Sequence, residues 1–285
     1  MNILENKYYI IRKGNFATNG NTKIFYSIFS TILCMDDYIN RNSKDCIFLL
    51  IGSTIIWSFV ELFLHISKTR VIKPMYITLF GGKQELPQYL GIILQGFQEG
   101  GLITTLGLYF GDRLSDYRYL IFLHLFILFI ISNIYIKKNT IKSSERQINT
   151  FSSVMLIGIA TIYNSIKIYQ HPQHLYRQLT MFSSMVYISS FWTFFAWYRG
   201  FRTIEIHLKK SSYSFIKNEN ENNNTDNNGN DGNDGNNGNN GNNNDNIVKY
   251  NIKKITAFDI FIIFAYDIFF EIGVAYLFFY NLFLI

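Results

Sequence analysis

The sequence predicts an all-α polytopic integral membrane protein, a bundle of seven or alternatively six transmembrane helices. Hydrophobic residues make up 48% of the chain, and charged residues only 16%, whereas soluble domains contain roughly 25%. The apolar residues are concentrated in long uninterrupted segments, and most lysines and arginines lie in the polar stretches between them. This arrangement is typical of membrane proteins, so the net charge of +6 does not indicate nucleic-acid binding.

The apolar segments have the length that a membrane span requires. The hydrocarbon core of a bilayer needs about 20 helical residues, with a range of about 17–25. Six segments satisfy this requirement, and polar loops such as "KTRVIKP" and "KKNTIKSSER" separate them. The six predicted spans are Cys46–Ile66, Gln88–Phe110, Tyr119–Ile136, Phe151–Lys167, Thr180–Trp197 and Ala257–Ile285.

An earlier apolar segment, Ile24–Met35, decides between six and seven spans. It is short, since Asp36 follows immediately, and a stretch of about 10–14 residues fits either an interfacial helix or a short span. We expect it to span. The chain then consists of an N-terminal cytoplasmic segment (1–23), six helices (24–198), a cytoplasmic loop (199–256) with a disordered Asn/Gly-rich tract (218–246), and a last helix (257–285).

The distribution of basic residues predicts the orientation. With seven spans, twenty lysines and arginines lie on one side of the membrane and five on the other. Basic loops remain in the cytoplasm, so we expect a cytoplasmic N-terminus and a lumenal or extracellular C-terminus. The sequon at Asn223 lies in the predicted cytoplasmic loop and should carry no sugar.

Polar residues inside the spans form the candidate site. Residues four apart share a helix face, and ionisable residues inside membranes usually face the bundle interior and find partners. Three spans each carry such a pair, so we expect the pairs to line a common polar site that opens as a funnel from the cytoplasm. The pairs are Glu61 and His65, Gln95 and Glu99, and Asp267 and Glu271.

Glycines beside Glu99 predict close helix packing. The spacings Gly96–Gly100 and Gly107–Gly111 are both of the small-xxx-small type, which allows two helix backbones to approach closely. A carboxylate in hydrocarbon costs roughly 2.5–3.5 kcal/mol on insertion scales. We therefore expect Glu99→Leu to relieve this cost and to raise the abundance of the protein.

An acidic intramembrane site favours a transporter or a pathway for protons or cations. Clustered carboxylates in a low dielectric raise one another's pKa and can exchange protons. The alternative is an intramembrane metal-dependent lipid-modifying enzyme, because one histidine with several carboxylates can hold a cation. The expected partners are the lipid bilayer and a proton, cation or small solute. The sequence assigns no catalytic residue, metal ligand or cofactor.

Overall fold

The computed structural model describes residues 7–14, 18–135, 142–209, 250–252 and 256–285. The protein is mostly helical, at 72%. Among the described residues, four helices are both long enough and apolar enough to cross a membrane, rather than the seven or six predicted. The prediction of a helical membrane protein is confirmed at this coarser level. The four helices are Asp45–Ile66, Phe151–Gln170, Pro172–Tyr198 and Ala257–Phe283.

The helices begin and end close to the bounds that hydropathy predicts. The largest difference is in the first, which extends well beyond the apolar segment Ile24–Met35 in both directions. The helices are α1 (Gly20–Arg41), α2 (Asp45–Ile66), α3 (Gln88–Gly96), α4 (Ile103–Gly111), α5 (Tyr117–Tyr135), α6 (Phe151–Gln170), α7 (Leu175–Tyr198), α8 (Ala257–Ala265) and α9 (Ala275–Phe283). The predicted tract 218–246 lies outside the described residues.

Two of the long helices contain a π-helical segment near their middle. The first π segment, Phe97–Leu102, connects α3 to α4, and the second π segment, Tyr266–Val274, connects α8 to α9. π-helical turns are rare and are frequent at functional sites. The first contains Glu99, and the second contains Asp267 and Glu271.

Glycines allow the helix through the first π segment to pack backbone to backbone against its neighbours. A Cβ atom on Gly100 would lie 2.6 Å from the carbonyl oxygen of Ser53 in α2, and one on Gly111 would lie 2.8 Å from the amide nitrogen of Met181 in α7. Neither position has room for a side chain. The packing predicted from the two small-xxx-small spacings is therefore confirmed.

A five-stranded antiparallel sheet covers one end of the helices, and the sequence analysis did not predict it. Segments taken as polar parts of the chain form its strands, and among them β6 alternates apolar and polar residues with the period of two that a half-buried strand requires. The strand order is β2-β5-β1-β6-β7, and β3 with β4 forms a separate hairpin. The strands are β1 (Lys7–Lys13), β2 (Arg70–Ile72), β3 (Tyr76–Leu79), β4 (Gly82–Glu85), β5 (Lys142–Gln147), β6 (Arg202–Lys209) and β7 (Tyr250–Ile252).

The register of the sheet places four arginines on the face that meets the helices. Arg12 in β1 lies opposite Arg202 in β6, and Arg70 in β2 lies opposite Arg146 in β5. Residues directly opposite each other on paired strands point to the same side. Ile10 pairs with Arg146 on this face, within a small apolar core that includes residues of β6 and α8. The sheet therefore presents apolar residues and four cations to the ends of the helices.

Candidate functional site: a cluster of arginines and carboxylates beside a cavity

Glu99 lies at the centre of a buried ion-pair network. Arg70 donates two hydrogen bonds to its carboxylate, from Nη1 to Oε2 and from Nη2 to Oε1, each 2.7 Å long. Arg12 donates a third bond of 2.7 Å to Oε1, and Gln95 donates another from the preceding helical turn. Two strands thus supply the positive charge that keeps this carboxylate ionised away from water.

Glu61 joins the same network through Arg70. The guanidinium of Arg70 contacts both Glu61 and Glu99, and the side chains of Arg70 and Glu61 are only 2% and 1% exposed. Arg70 is consequently a bridge between α2, the first π segment and the sheet. His65 is half-buried one turn beyond Glu61, and no described hydrogen bond or ion pair connects it to the carboxylates.

The second π segment carries the other half of the cluster. Arg146 forms an ion pair with Glu271, and Arg202 forms one with Asp267. Arg202 also donates a hydrogen bond of 3.2 Å to the hydroxyl of Thr193 in α7. Each of the four inward-facing arginines therefore contacts a carboxylate on α2 or on one of the two π segments.

Burial and partner charges act in opposite directions on the strand arginines. Burial lowers the pKa of Arg202 to about 10, although Asp267 raises it, and burial also lowers the pKa of Arg146. For Arg70, burial acts to lower the pKa, but the carboxylates of Glu61 and Glu99 outweigh it and the pKa is raised. All three guanidinium groups stay protonated at neutral pH. A proton that disrupts the cluster must therefore bind to a carboxylate.

A cavity adjoins the cluster on its helix side and encloses about 90 Å³ of space that water can enter. Its floor is charged and consists of Arg12, Glu99, Arg202, Asp267 and Glu271. Its walls are mainly apolar and come from α1, α4, α5, α7 and the last helix. The cavity thus combines a polar, ionic end with an apolar body, which is a common arrangement for a small-molecule site.

The structure brings together five of the six residues in the three predicted pairs and leaves out His65. On the side where the sheet lies, the sheet and its arginines cover the carboxylates, and a funnel that opens from the cytoplasm stays a prediction. In the sequence analysis these arginines entered only the count of basic residues that predicts the orientation. The signal that could have identified them is the alternation in "RTIEI", where Arg202 shares a face with Ile204 and Ile206.

Metal binding finds no support in the donor arrangement. Within the described ranges, no group of three or more His, Cys, Asp or Glu side chains is placed to hold a metal ion. The carboxylates of the cluster instead accept hydrogen bonds from arginines. Cys34 and Cys46 are both buried and free.

Comparison of the chain with protein-family models, with curated proteins and with solved structures finds no match. The geometry of the cluster and of its cavity is therefore the basis for any functional assignment.

Proposed function

We propose that the protein is a multi-pass membrane transporter in which the cavity holds a small solute and the arginine–carboxylate cluster is a gate. The observation that carries this proposal is that the charged groups of the cluster form the floor of the cavity. A solute in the cavity therefore contacts the same side chains that hold the sheet against the helices.

The proposed topology has seven spans, with the sheet on the cytoplasmic side. Four apolar helices indicate a membrane location, and α1 adds an exposed apolar stripe at Phe25, Ile28, Ile32, Met35 and Ile39. These residues recur at intervals of three and four, so they form one face of the helix. With 22 residues, α1 measures about 33 Å, which is enough to cross the hydrocarbon core.

The gate opens when ion pairs between strands and helices break. Removing one partner of a buried pair costs about 3–5 kcal/mol, because the other charge stays buried without compensation. A proton on a carboxylate weakens a pair without that full cost, since a protonated carboxyl still accepts a hydrogen bond from arginine. Proton binding to a carboxylate of the cluster is thus the proposed step that couples the gate to pH.

Passage of a free cation through the closed state is disfavoured. Each carboxylate of the cluster is already engaged by an arginine, so a cation would have to displace a guanidinium and would meet its repulsion. A proton coupled to a small solute fits the geometry better than a cation pathway does.

The gate can be tested with a cysteine in the cavity wall. Ser189 is buried and lines the cavity from α7, so Ser189→Cys introduces a thiol there once Cys34 and Cys46 are replaced by alanine. The full chain is placed in vesicles and treated from the sheet side with a membrane-impermeant maleimide. We expect slow labelling at pH 7.5, and labelling at least tenfold faster, relative to a free thiol at the same pH, at pH 5 or with Asp267→Asn added.

The control is Ser190→Cys, which neighbours Ser189 on α7 but does not line the cavity. Its labelling, relative to a free thiol at the same pH, should not depend on pH or on Asp267. If Ser189→Cys reacts at the same rate under all conditions, the cluster does not control access to the cavity and the proposed gate is wrong.

The orientation has its own test. Epitope tags at the N-terminus and after Asp37 should be accessible from opposite sides of the membrane. Tags on one side would mean that α1 lies on the surface, and an N-linked sugar on Asn223 would reverse the whole orientation, because only lumenal acceptors are modified.

A further inference from the structure

A second cavity opens between α2 and α6. It has a volume of about 220 Å³ and is bounded by the apolar side chains of Ile56, Val60 and Leu64 from α2 and of Leu156 and Ile157 from α6. The last helix forms its base, and Arg146 of β5 lies at its sheet end. We call this cavity the lateral groove. It is distinct from the cavity that adjoins the arginine–carboxylate cluster, although Glu271 lines both cavities.

The position of the lateral groove identifies its environment as lipid. The three helices that form it, α2, α6 and the helix from α8 to α9, are among the four that are long and apolar enough to cross a membrane. On α6 the side chains of Val154, Ile162 and Ile166 are exposed, so this helix has a lipid-facing surface. A groove between such helices is reached from the bilayer interior, and its occupant must carry a hydrocarbon chain.

Three polar residues that line the lateral groove are incompletely paired. Trp57, Arg146 and Glu271 all line it, and each has a buried polar atom with no hydrogen-bond partner among the described residues: Nε1 of Trp57, Nε of Arg146 and Oε2 of Glu271. Two of these atoms are donors and one is an acceptor. An unpaired buried polar atom costs about 1–3 kcal/mol, so three of them on residues around one cavity point to a missing ligand.

We propose that the lateral groove binds a membrane lipid with a free hydroxyl group, such as a monoacylglycerol or a long-chain alcohol. The hydroxyl donates to Glu271 and accepts from Trp57 or Arg146, while the hydrocarbon chain fills the apolar part between α2 and α6. An anionic headgroup fits less well, because the carboxylate of Glu271 would repel it. This site does not depend on the transport proposal.

The test uses full-length protein in nanodiscs and a photoactivatable monoacylglycerol with a diazirine in its chain. Ile157→Trp fills the groove, and Ile162→Trp makes the same change on the same helix at a residue that is 64% exposed and lies outside the groove. We expect crosslinks on peptides of α2, α6 and α9, reduced at least fivefold by Ile157→Trp and unchanged by Ile162→Trp. Equal crosslinking in both variants would overturn the site.

A second variant tests the hydroxyl. Trp57→Phe removes the indole N–H donor and keeps a smaller aromatic ring in its place. A lost hydrogen bond of about 1 kcal/mol corresponds to roughly fivefold weaker competition by monoacylglycerol, whereas competition by the matching chain without a hydroxyl should not change. If the probe binds the groove and Trp57→Phe changes competition by monoacylglycerol and by the hydroxyl-free chain to the same extent, the groove recognises an acyl chain alone. The hydroxyl assignment is then wrong. Neither result depends on whether the Ser189→Cys gate assay succeeds.

Discussion

The molecule carries a charged network at each end of its helices, and the two networks differ in what they connect. At the sheet end, arginines from four strands contact carboxylates from α2 and from the two π segments. At the opposite end, Arg177 binds Asp112 through two hydrogen bonds of 2.8 and 2.6 Å and binds Asp45 at 2.6 Å, and Arg113 contacts Asp37 at 2.7 Å. These pairs join helix ends and short connections to one another.

We propose that this difference separates a functional network from a structural one. The sheet-end cluster joins two layers of the fold, three of its carboxylates lie on π segments, and it forms the floor of a cavity. The far-end network lies on ordinary helix ends and is partly exposed, with the side chain of Arg41 39% exposed. Similar residue types therefore stabilise helix packing at one end and, in our proposal, control access to a cavity at the other.

The largest expected effect is at Arg70, whose guanidinium bridges Glu61 and Glu99. We expect Arg70→Met to destabilise the protein by about 3–5 kcal/mol, because it leaves the buried Glu61 without a cation and Glu99 with Arg12 alone. Arg41→Met at the far end is the matched variant and should cost less than about 1 kcal/mol, since Arg41 is partly exposed and Asp112 retains Arg177. Thermal unfolding in detergent measures both, and equal losses would remove the distinction between the two networks.

Glu99→Leu sharpens the comparison because it separates the free-energy cost of inserting a carboxylate into the membrane from the stabilisation that the ion pairs of this carboxylate provide. The sequence alone predicts higher abundance from this change, whereas the structure predicts lower stability, since Arg12 and Arg70 both lose the hydrogen bonds that they donate to Glu99, and Arg70 keeps only Glu61. Glu99→Gln retains an acceptor oxygen and should lose less stability than Glu99→Leu. A fluorescence-detected thermal shift of the three proteins distinguishes the cases, and a Leu variant at least as stable as the wild type would contradict the pairing account.

Gly100 tests the packing that supports the sheet-end cluster. Gly100→Ala should cost about 1–3 kcal/mol, because the new methyl group overlaps the carbonyl of Ser53. Gly158→Ala in α6 is the control, since a Cβ atom there meets nothing within 4 Å and should be neutral or slightly stabilising. Similar melting temperatures for the two variants would show that α2 does not pack tightly against the first π segment.

The smallest expected effect is the loss, in acid, of the stability that Asp112 contributes at the far end of the helices. Burial acts to raise the pKa of Asp112, but hydrogen bonds from Arg177 and Arg41 outweigh it and hold the pKa below its ordinary value. A lowered pKa adds stability above the unfolded value of about 3.9, and this stability is lost as pH falls through the folded pKa. Asp112→Asn should therefore lower the melting temperature slightly at pH 7 and leave it nearly unchanged near pH 3. A deficit that does not shrink with acid would contradict this assignment.

The sequence predicts the helices well because hydropathy is a local property. Cys46–Ile66 and Phe151–Lys167 differ from α2 and α6 by only a few residues at their ends. The carboxylates were also identifiable, since an acid in an apolar run is conspicuous. The sheet was not identifiable in this way. Its strands are short, and β1 pairs with β5, which lies more than a hundred residues further along the chain. The partners of Glu99 depend on that long-range pairing.

The central claim is that the arginine–carboxylate cluster holds the sheet against the helices, and amide hydrogen exchange measures this most directly. The wild type and the double variant Glu99→Gln/Asp267→Asn are compared as full-length proteins in nanodiscs at neutral pH. The account predicts at least tenfold faster exchange in β1 and β6 of the variant, with no change in the C-terminal half of α1 at the far end. Unchanged exchange in β1 and β6, or an equal increase at both ends of the helices, would contradict it.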